Sequence, residues 1–243
     1  MNRRGRERRS RPAPAPVELR TPYALAEVIA DPRRPSSRLL LLDGREAGEV
    51  DLADPRRLGF AYMRRIADLV DAFRPPGTAI DAVHVGGGAF ALARYIAATR
   101  PRSRQDVLEL DPGVVAVARE HLGLRTSPRL RVRVGDAAET LRARPDRSAD
   151  LVIGDAFDGP HVPAHLAGAP FAGEVARVLR SAGVYALNVI DVPPNDEVQA
   201  HDAVLRARAP GNVVLLASAA PLPLAALARA AGAAVPREQV LER

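Results

Sequence analysis

From Ile80 onward the chain alternates short apolar runs with stretches of helical periodicity. Apolar runs near residues 80–85, 105–110, 130–134, 150–154, 184–190 and 212–218 predict strands. Between them, 89–99, 113–121, 137–143 and 171–180 repeat apolar residues at three- and four-residue steps and predict helices. Strand–helix alternation of this kind predicts an α/β fold with a parallel, doubly wound sheet and right-handed crossovers. Ser181-Ala182-Gly183 reads as a helix stop before the fifth strand. Upstream, Leu58, Tyr62, Ile66, Leu69, Val70 and Phe73 mark one helix face, closed by Pro75-Pro76-Gly77. Arg38 to Leu42, the turn Asp43-Gly44 and Glu46 to Asp51 predict a β hairpin. Tyr23 to Ala30 fits one or two helical turns, and the alanine-rich stretch Leu222 to Leu241 a helix packed on the outside.

These elements divide the chain into three parts. Residues 1–20, built of arginine and Ala-Pro units, predict a disordered basic leader. Residues 21–57 predict a small N-terminal β layer, and 58–243 the α/β domain. After the fifth strand, residues 191–210 are too few, with too many prolines, for a full helix and another strand, so this region of the sheet reads as abbreviated.

Composition changes the picture in three places. A hydrophobic fraction of 47% in 243 residues supports one large core. The absence of cysteine excludes disulfides, thiolate metal sites and cysteine nucleophiles. His161 and His165 are four apart, but Pro163 between them makes a loop pair the better reading than a zinc site, and no metal is expected. The net charge of +6 comes mostly from residues 1–11, which carry six arginines and one glutamate. A near-neutral body with a basic tail is not a nucleic-acid-binding domain, although the tail itself has the charge to touch a polyanion. No apolar run is long enough to span a membrane, and Pro12 to Pro16 stands where a secretory signal would need an apolar segment. A cytoplasmic protein is expected.

The candidate chemistry lies at strand ends. The first predicted strand runs into Gly86-Gly87-Gly88, and a helix follows. Such a corner lets a ligand approach the backbone and offers free N–H groups at the helix start. The next strands end in Glu109-Leu110-Asp111, Gly135-Asp136-Ala137 and Asp155-Ala156-Phe157-Asp158. Ligands of open α/β sheets bind at these carboxyl ends. Glu109 suits a ribose diol, and Asp136 with the backbone of Ala137 suits the amino group and ring nitrogen of adenine. Asp155 and Asp158 face the reacting end. Asp111 and Asp136 each also fit a helix cap; four successive strand ends of glycine or acid on one sheet edge are more specific. Gly86 to Ala91 satisfies G-x-G-x-x-A, so a nicotinamide dinucleotide competes with a sulfonium nucleoside of the S-adenosylmethionine type. The acid after the third strand and the lack of room for a substrate domain favour the latter.

These residues carry a resemblance. Leu41-Leu42-Asp43-Gly44, Phe60-Ala61-Tyr62, Val85 to Gly88, Leu108 to Val115, Gly135-Asp136-Ala137 and Asp155 to Pro160 resemble the spermidine synthase (polyamine aminopropyltransferase) family, over about residues 38–218. The resemblance implies a Rossmann-like class I methyltransferase sheet preceded by the small N-terminal hairpin. It implies aminopropyl transfer from decarboxylated S-adenosylmethionine to an amine such as putrescine, with no tightly bound cofactor and commonly a homodimer. Glu109 would bind ribose, and Asp136 and Ala137 adenine. Asp155 would help deprotonate the amine, and Asp158 and Tyr62 would bind it. Ala89 stands where the family's glycine loop carries aspartate, and Met63 where histidine follows the tyrosine. A methyltransferase using S-adenosylmethionine, and a non-catalytic nucleoside-binding module, remain open on the same residues.

Overall fold

The computed structural model describes residues 15–190, 203–206, 212–234 and 239–242. Two sheets form the frame. The first is antiparallel, in the order β1 (Val17–Arg20), β2 (Leu25–Asp31), β3 (Arg34–Leu42), β4 (Arg45–Asp51). The hairpin expected at Asp43-Gly44 is present as β3–β4, and β1 and β2 extend it. The segment read as helical turns from Tyr23 to Ala30 is a correction: it is strand β2. Ala26, Val28 and Ala30 point to the core with period two, and an apolar set this short fits either periodicity. Residues 17–20, counted with the leader, are strand β1.

The second sheet has eight strands in the order β12 (Gln239–Glu242), β10 (Ala203–Arg206), β11 (Asn212–Ala217), β9 (Leu179–Ile190), β8 (Ala149–Gly154), β5 (Asp81–Val85), β6 (Arg104–Glu109), β7 (Leu130–Val134). Neighbours from β9 through β7 are parallel. The strand β11 runs antiparallel between β9 and β10. From β5 the chain first moves outward through β6 to β7, then returns to the other side of β5 as β8. That reversal opens a crevice at the carboxyl ends of β5 and β8.

Helices cover both faces. On one lie α1 (Ala61–Phe73), α2 (Ala91–Thr99), α3 (Pro112–His121) and the small sheet. On the other lie α4 (Ala137–Arg142), α5 (Ala164–Ala167) and α6 (Ala169–Val178). Successive residues of a strand serve the two faces in turn. Leu151 and Ile153 of β8 join the first core, Val152 the second. α1 forms because Tyr62, Met63, Ile66, Leu69 and Val70 share a stripe, and each large aliphatic chain so buried contributes about 1.5–3 kcal/mol. Arg100 is fully buried beneath α1; its guanidinium donates to the carbonyls of Val70 and Arg74 and to Asp71.

Two further expectations are corrected. The helix before β9 ends at Val178, and Ser181 to Gly183 lie inside β9, in a register shift against β8 that absorbs the extra residues. The C-terminal helix α7 spans only Leu224–Ala233; Gln239–Glu242 pairs with β10 as a strand. Pro236 forbids a continuous helix across that stretch. The abbreviated segment expected over 191–210 lies mostly outside the described residues; of it, 203–206 is strand β10. Among the described residues no helix is long and apolar enough to cross a membrane.

Candidate active site

The crevice is built by backbone contacts before any side chain acts. At the end of β5 the amide of Gly86 donates to Leu108 O at 2.9 Å, and the amide of Asp155 to Val85 O at 2.8 Å. These bonds bring the ends of β5, β6 and β8 into one floor. Gly86 has φ of +93°, and a Cβ there would stand 2.4 Å from the Asp155 carbonyl oxygen. Only glycine lets the two loops lie this close. The α2 helix starts from Phe90, a non-glycine residue in the left-handed region with φ 59°. Its ring is buried and fills the space where a Cβ on Gly87 would be. The tight loop is therefore wedged from below by an aromatic ring.

Glu109 is 9% exposed and braces this loop from β6. Its Oε2 accepts from the Gly87 amide at 2.8 Å, and its Oε1 from the Asp111 amide at 2.9 Å. Burial pushes its carboxyl above the usual range, against the lowering effect of those amides. Asp111 turns to another task. It caps α3 by accepting from the Gly113 amide at 2.7 Å, and the Thr21 hydroxyl donates to its other oxygen. The capping reading for Asp111 holds, and the small sheet is tied to the strand-end acids through it.

Asp136 also caps a helix: its Oδ1 accepts from the Glu139 amide at 2.9 Å. Its Oδ2 lies 2.9 Å from Nε2 of His165, on the short helix α5. Burial raises the Asp136 carboxyl, but the amide and the imidazole outweigh it and leave it below the ordinary range. The sequence suggests only a loop pair of His165 with His161; in the structure the partner of His165 is this acid.

Asp155 sits at the end of β8 with a neutral donor on each oxygen. The Tyr62 hydroxyl of α1 donates to Oδ2 at 3.0 Å, and the Asn188 amide of β9 to Oδ1 at 2.8 Å. Burial raises the Asp155 carboxyl to about 6, and the two donors restrain the rise. Tyr62 is itself pushed well above its ordinary value by burial and by the neighbouring carboxylate, so it stays a phenol. Beneath them lies a cavity of about 10 Å³, room for one water, lined by Met63, His84, Gly86, Gly87, Phe90 and Asp155. Asp158 is exposed in the turn after β8, where its backbone pairs with His161. The structure thus brings Tyr62 and Asp155 together, and Gly87 and Glu109; Asp136 lies with His165, and Asp158 on the rim.

Comparison with known proteins bears on the fold and the sequence as a whole. No family model matches the chain. A probable spermidine synthase from Corynebacterium glutamicum superposes with a TM-score of 0.86 at 26% identity, over 95% of this chain and 91% of that one. Over nearly its whole length the chain is similar to this protein. A polyamine aminopropyltransferase of Vibrio vulnificus is 31% identical over 150 residues, 60% of this chain. The chain spans 49% of that relative's length. The fold reaches further: human methyltransferase-like protein 13 superposes with a TM-score of 0.59 at 21% identity, over 67% of this chain and 84% of that one. The sheet is therefore of the methyltransferase type, with the small antiparallel sheet added in front.

Sequence reasoning passed over Asn188. It is 1% exposed, a polar residue inside the apolar strand Val184–Ile190. That isolated polarity was the available signal, since a buried amide needs partners.

Proposed function

We propose that this chain is a transferase that binds decarboxylated S-adenosylmethionine and moves its aminopropyl group to an amine such as putrescine. The carrying observation is the carboxylate of Asp155, flanked by Tyr62 and Asn188 beside the glycine loop. Its raised pKa of about 6 suits a proton acceptor working near neutrality. An alkylamine of pKa about 10 is a cation at neutral pH and has no lone pair for attack. Asp155 attracts that cation and takes its proton. The freed nitrogen lone pair then forms a bond to the aminopropyl carbon next to sulfur. The carbon–sulfur bond breaks, its electrons return to sulfur, and methylthioadenosine leaves. No covalent enzyme intermediate is needed, so alignment supplies most of the catalysis.

In this reading Glu109, already held by two amides, accepts the ribose hydroxyls with its remaining lone pairs. Asp136 and the Ala137 amide hold the adenine edge, and Gly86 to Gly88 leave room for the nucleoside. Asp158 and Tyr62 meet the amine. A relative whose sequence matches bears the name polyamine aminopropyltransferase, which supports this substrate class.

One observation favours a second reading. Ala89, at the loop position where the family carries aspartate, is 1% exposed and offers no charge to the donor's ammonium. Intact S-adenosylmethionine carries an α-carboxylate beside its ammonium, which loop N–H groups can hold, so Ala89 is no handicap to a methyltransferase. The two readings separate in one experiment. The chain is incubated with putrescine and either decarboxylated or intact S-adenosylmethionine, and the nucleoside product is identified. Methylthioadenosine that requires both substrates supports aminopropyl transfer; S-adenosylhomocysteine supports methyl transfer. Tight nucleoside binding without either product would overturn both and leave a binding module.

A further inference from the structure

Asn188 can point its amide either way. With its NH₂ toward Asp155 it donates; with its carbonyl there it would set one acceptor against another. The ionised carboxylate accepts only and selects the first, and a second amide braces that choice. Nδ2 of Asn212, at the start of β11, donates to Oδ1 of Asn188 at 3.1 Å. Only the orientation that aims the Asn188 NH₂ at Asp155 leaves Oδ1 facing Asn212. The residues lie on adjacent antiparallel strands, where Asn212 pairs with Ile190 and Asn188 with Val214. Both strands contribute to the α1 face of the sheet, the face from which Tyr62 reaches Asp155.

We infer that Asn212 is a positioning residue for Asp155: it fixes the Asn188 amide as a donor and so holds the carboxylate in its ionised, correctly turned form. This rests on the reading of Asp155 as the proton acceptor. Asn212 touches neither the amine nor the nucleoside in that reading; it acts through Asn188 alone.

Ionisable groups about Asp155 come from several elements. Tyr62 comes from α1, and His84 of β5 lines the same small cavity. Glu109 of β6 is bonded to Gly87, which also lines it. Asp158 lies in the turn after β8. Burial holds the His84 imidazole down to about 4 and Tyr62 well above its ordinary value, so neither changes charge between about pH 5 and 8. Glu109 is raised as well, so the titration must be read at the Asp155 carboxyl carbon itself.

The test is a carboxyl-carbon NMR titration of the full chain, the Asp155 signal being the one lost in Asp155→Asn. In Asn212→Leu the Asp155 midpoint is expected to rise by about one pH unit, because the Asn188 donor to the charged form is no longer held in place. Asn188→Ala is expected to raise it at least as far, and the double variant to match Asn188→Ala with no further shift. The acidic limb of kcat/KM moves up with the midpoint, while nucleoside affinity by calorimetry is unchanged. If Asn212→Leu does not fold, Asn212→Ala removes the donor without adding a charge. A midpoint unchanged in the folded variant, or a double variant that shifts by the sum of the singles, overturns the inference. The titration requires no turnover. Failure to form spermidine would therefore sink the proposed function without deciding this point.

Discussion

The Tyr62 hydroxyl donates to Oδ2 of Asp155 at 3.0 Å, joining the first helix of the α/β unit to the end of its fourth parallel strand. The bond turns the carboxylate but leaves it in a poorly solvated place, and the cost appears as a pKa of about 6. Asp155→Asn should lower transfer by at least about 100-fold, the lower range for removing a general base. The same change should stabilise the free protein at neutral pH. In the unfolded chain the group titrates near 3.9, so between about pH 4 and 6 the folded form binds more protons. Protonation therefore favours the fold as pH falls, and that contribution is lost as pH rises through about 6. The gain in Asp155→Asn is at most about 3 kcal/mol above pH 6, an upper bound for a group still partly open to solvent, and vanishes below about pH 4. Denaturant melts at pH 4 and pH 8 check it; equal stability of the two proteins at pH 8 would remove the burial cost from the account.

Glu109 holds the amides of Gly87 and Asp111 with separate oxygens. Glu109→Ala removes both supports and any ribose contact together. Nucleoside affinity should fall about 10- to 100-fold, in line with the loss of one or two hydrogen bonds to a charged group. Calorimetry with methylthioadenosine measures this. Unchanged affinity would strike the ribose contact from the site.

Thr21 links the small sheet to α3. Its hydroxyl donates to the Asp111 side chain that caps the helix, and both residues are buried. Thr21→Val keeps the shape and deletes the donor. It should destabilise the fold by about 1–3 kcal/mol, the penalty for a buried acceptor left short of a partner. Thermal unfolding reads the loss, and a variant as stable as the parent would show the bond to be dispensable.

Ala89→Asp restores the family's residue but should not restore a function. Ala89 is 1% exposed, and a Cβ on Gly48 would stand 2.7 Å from its methyl group. A carboxylate growing from residue 89 meets the small sheet. We expect a loss of stability of more than about 2 kcal/mol, from overpacking and an unpaired charge, and no gain in aminopropyl transfer. Melting temperature and product formation test the two parts separately; a stable and faster variant would show that the carboxylate finds its way into the crevice.

The parallel strands were legible because each is a short apolar run stopped by glycine or acid, as at Val83 to Gly88 and Leu151 to Asp155. Their order was implied by alternation with helices. β2 was misread because Leu25, Val28 and Ile29 fit a helical step as well as Ala26, Val28 and Ala30 fit a strand. The strand Gln239–Glu242 reads as helix only where the alanine-rich run outweighs Pro236, which bars a helix from reaching it. In the site, Glu109, Asp136 and Asp155 could be named from strand-end position alone. The partners of Asn188 and Asn212, and the pairing of His165 with Asp136, could not, because they meet only after elements apart in sequence are folded together. Position in a sheet predicts where chemistry gathers, while the direction of an amide depends on its neighbours.

The β bulge at Ala47-Gly48 presses on the glycine loop from above. A Cβ on Gly88 would stand 2.5 Å from the Ala47 carbonyl oxygen, and one on Gly48 would strike Ala89. The roof over that end of the crevice therefore belongs to the small sheet. Any redesign of donor selectivity has to begin at residues 47 and 48 and only then turn to the loop, since a larger residue at 89 has nowhere to go until the bulge retreats.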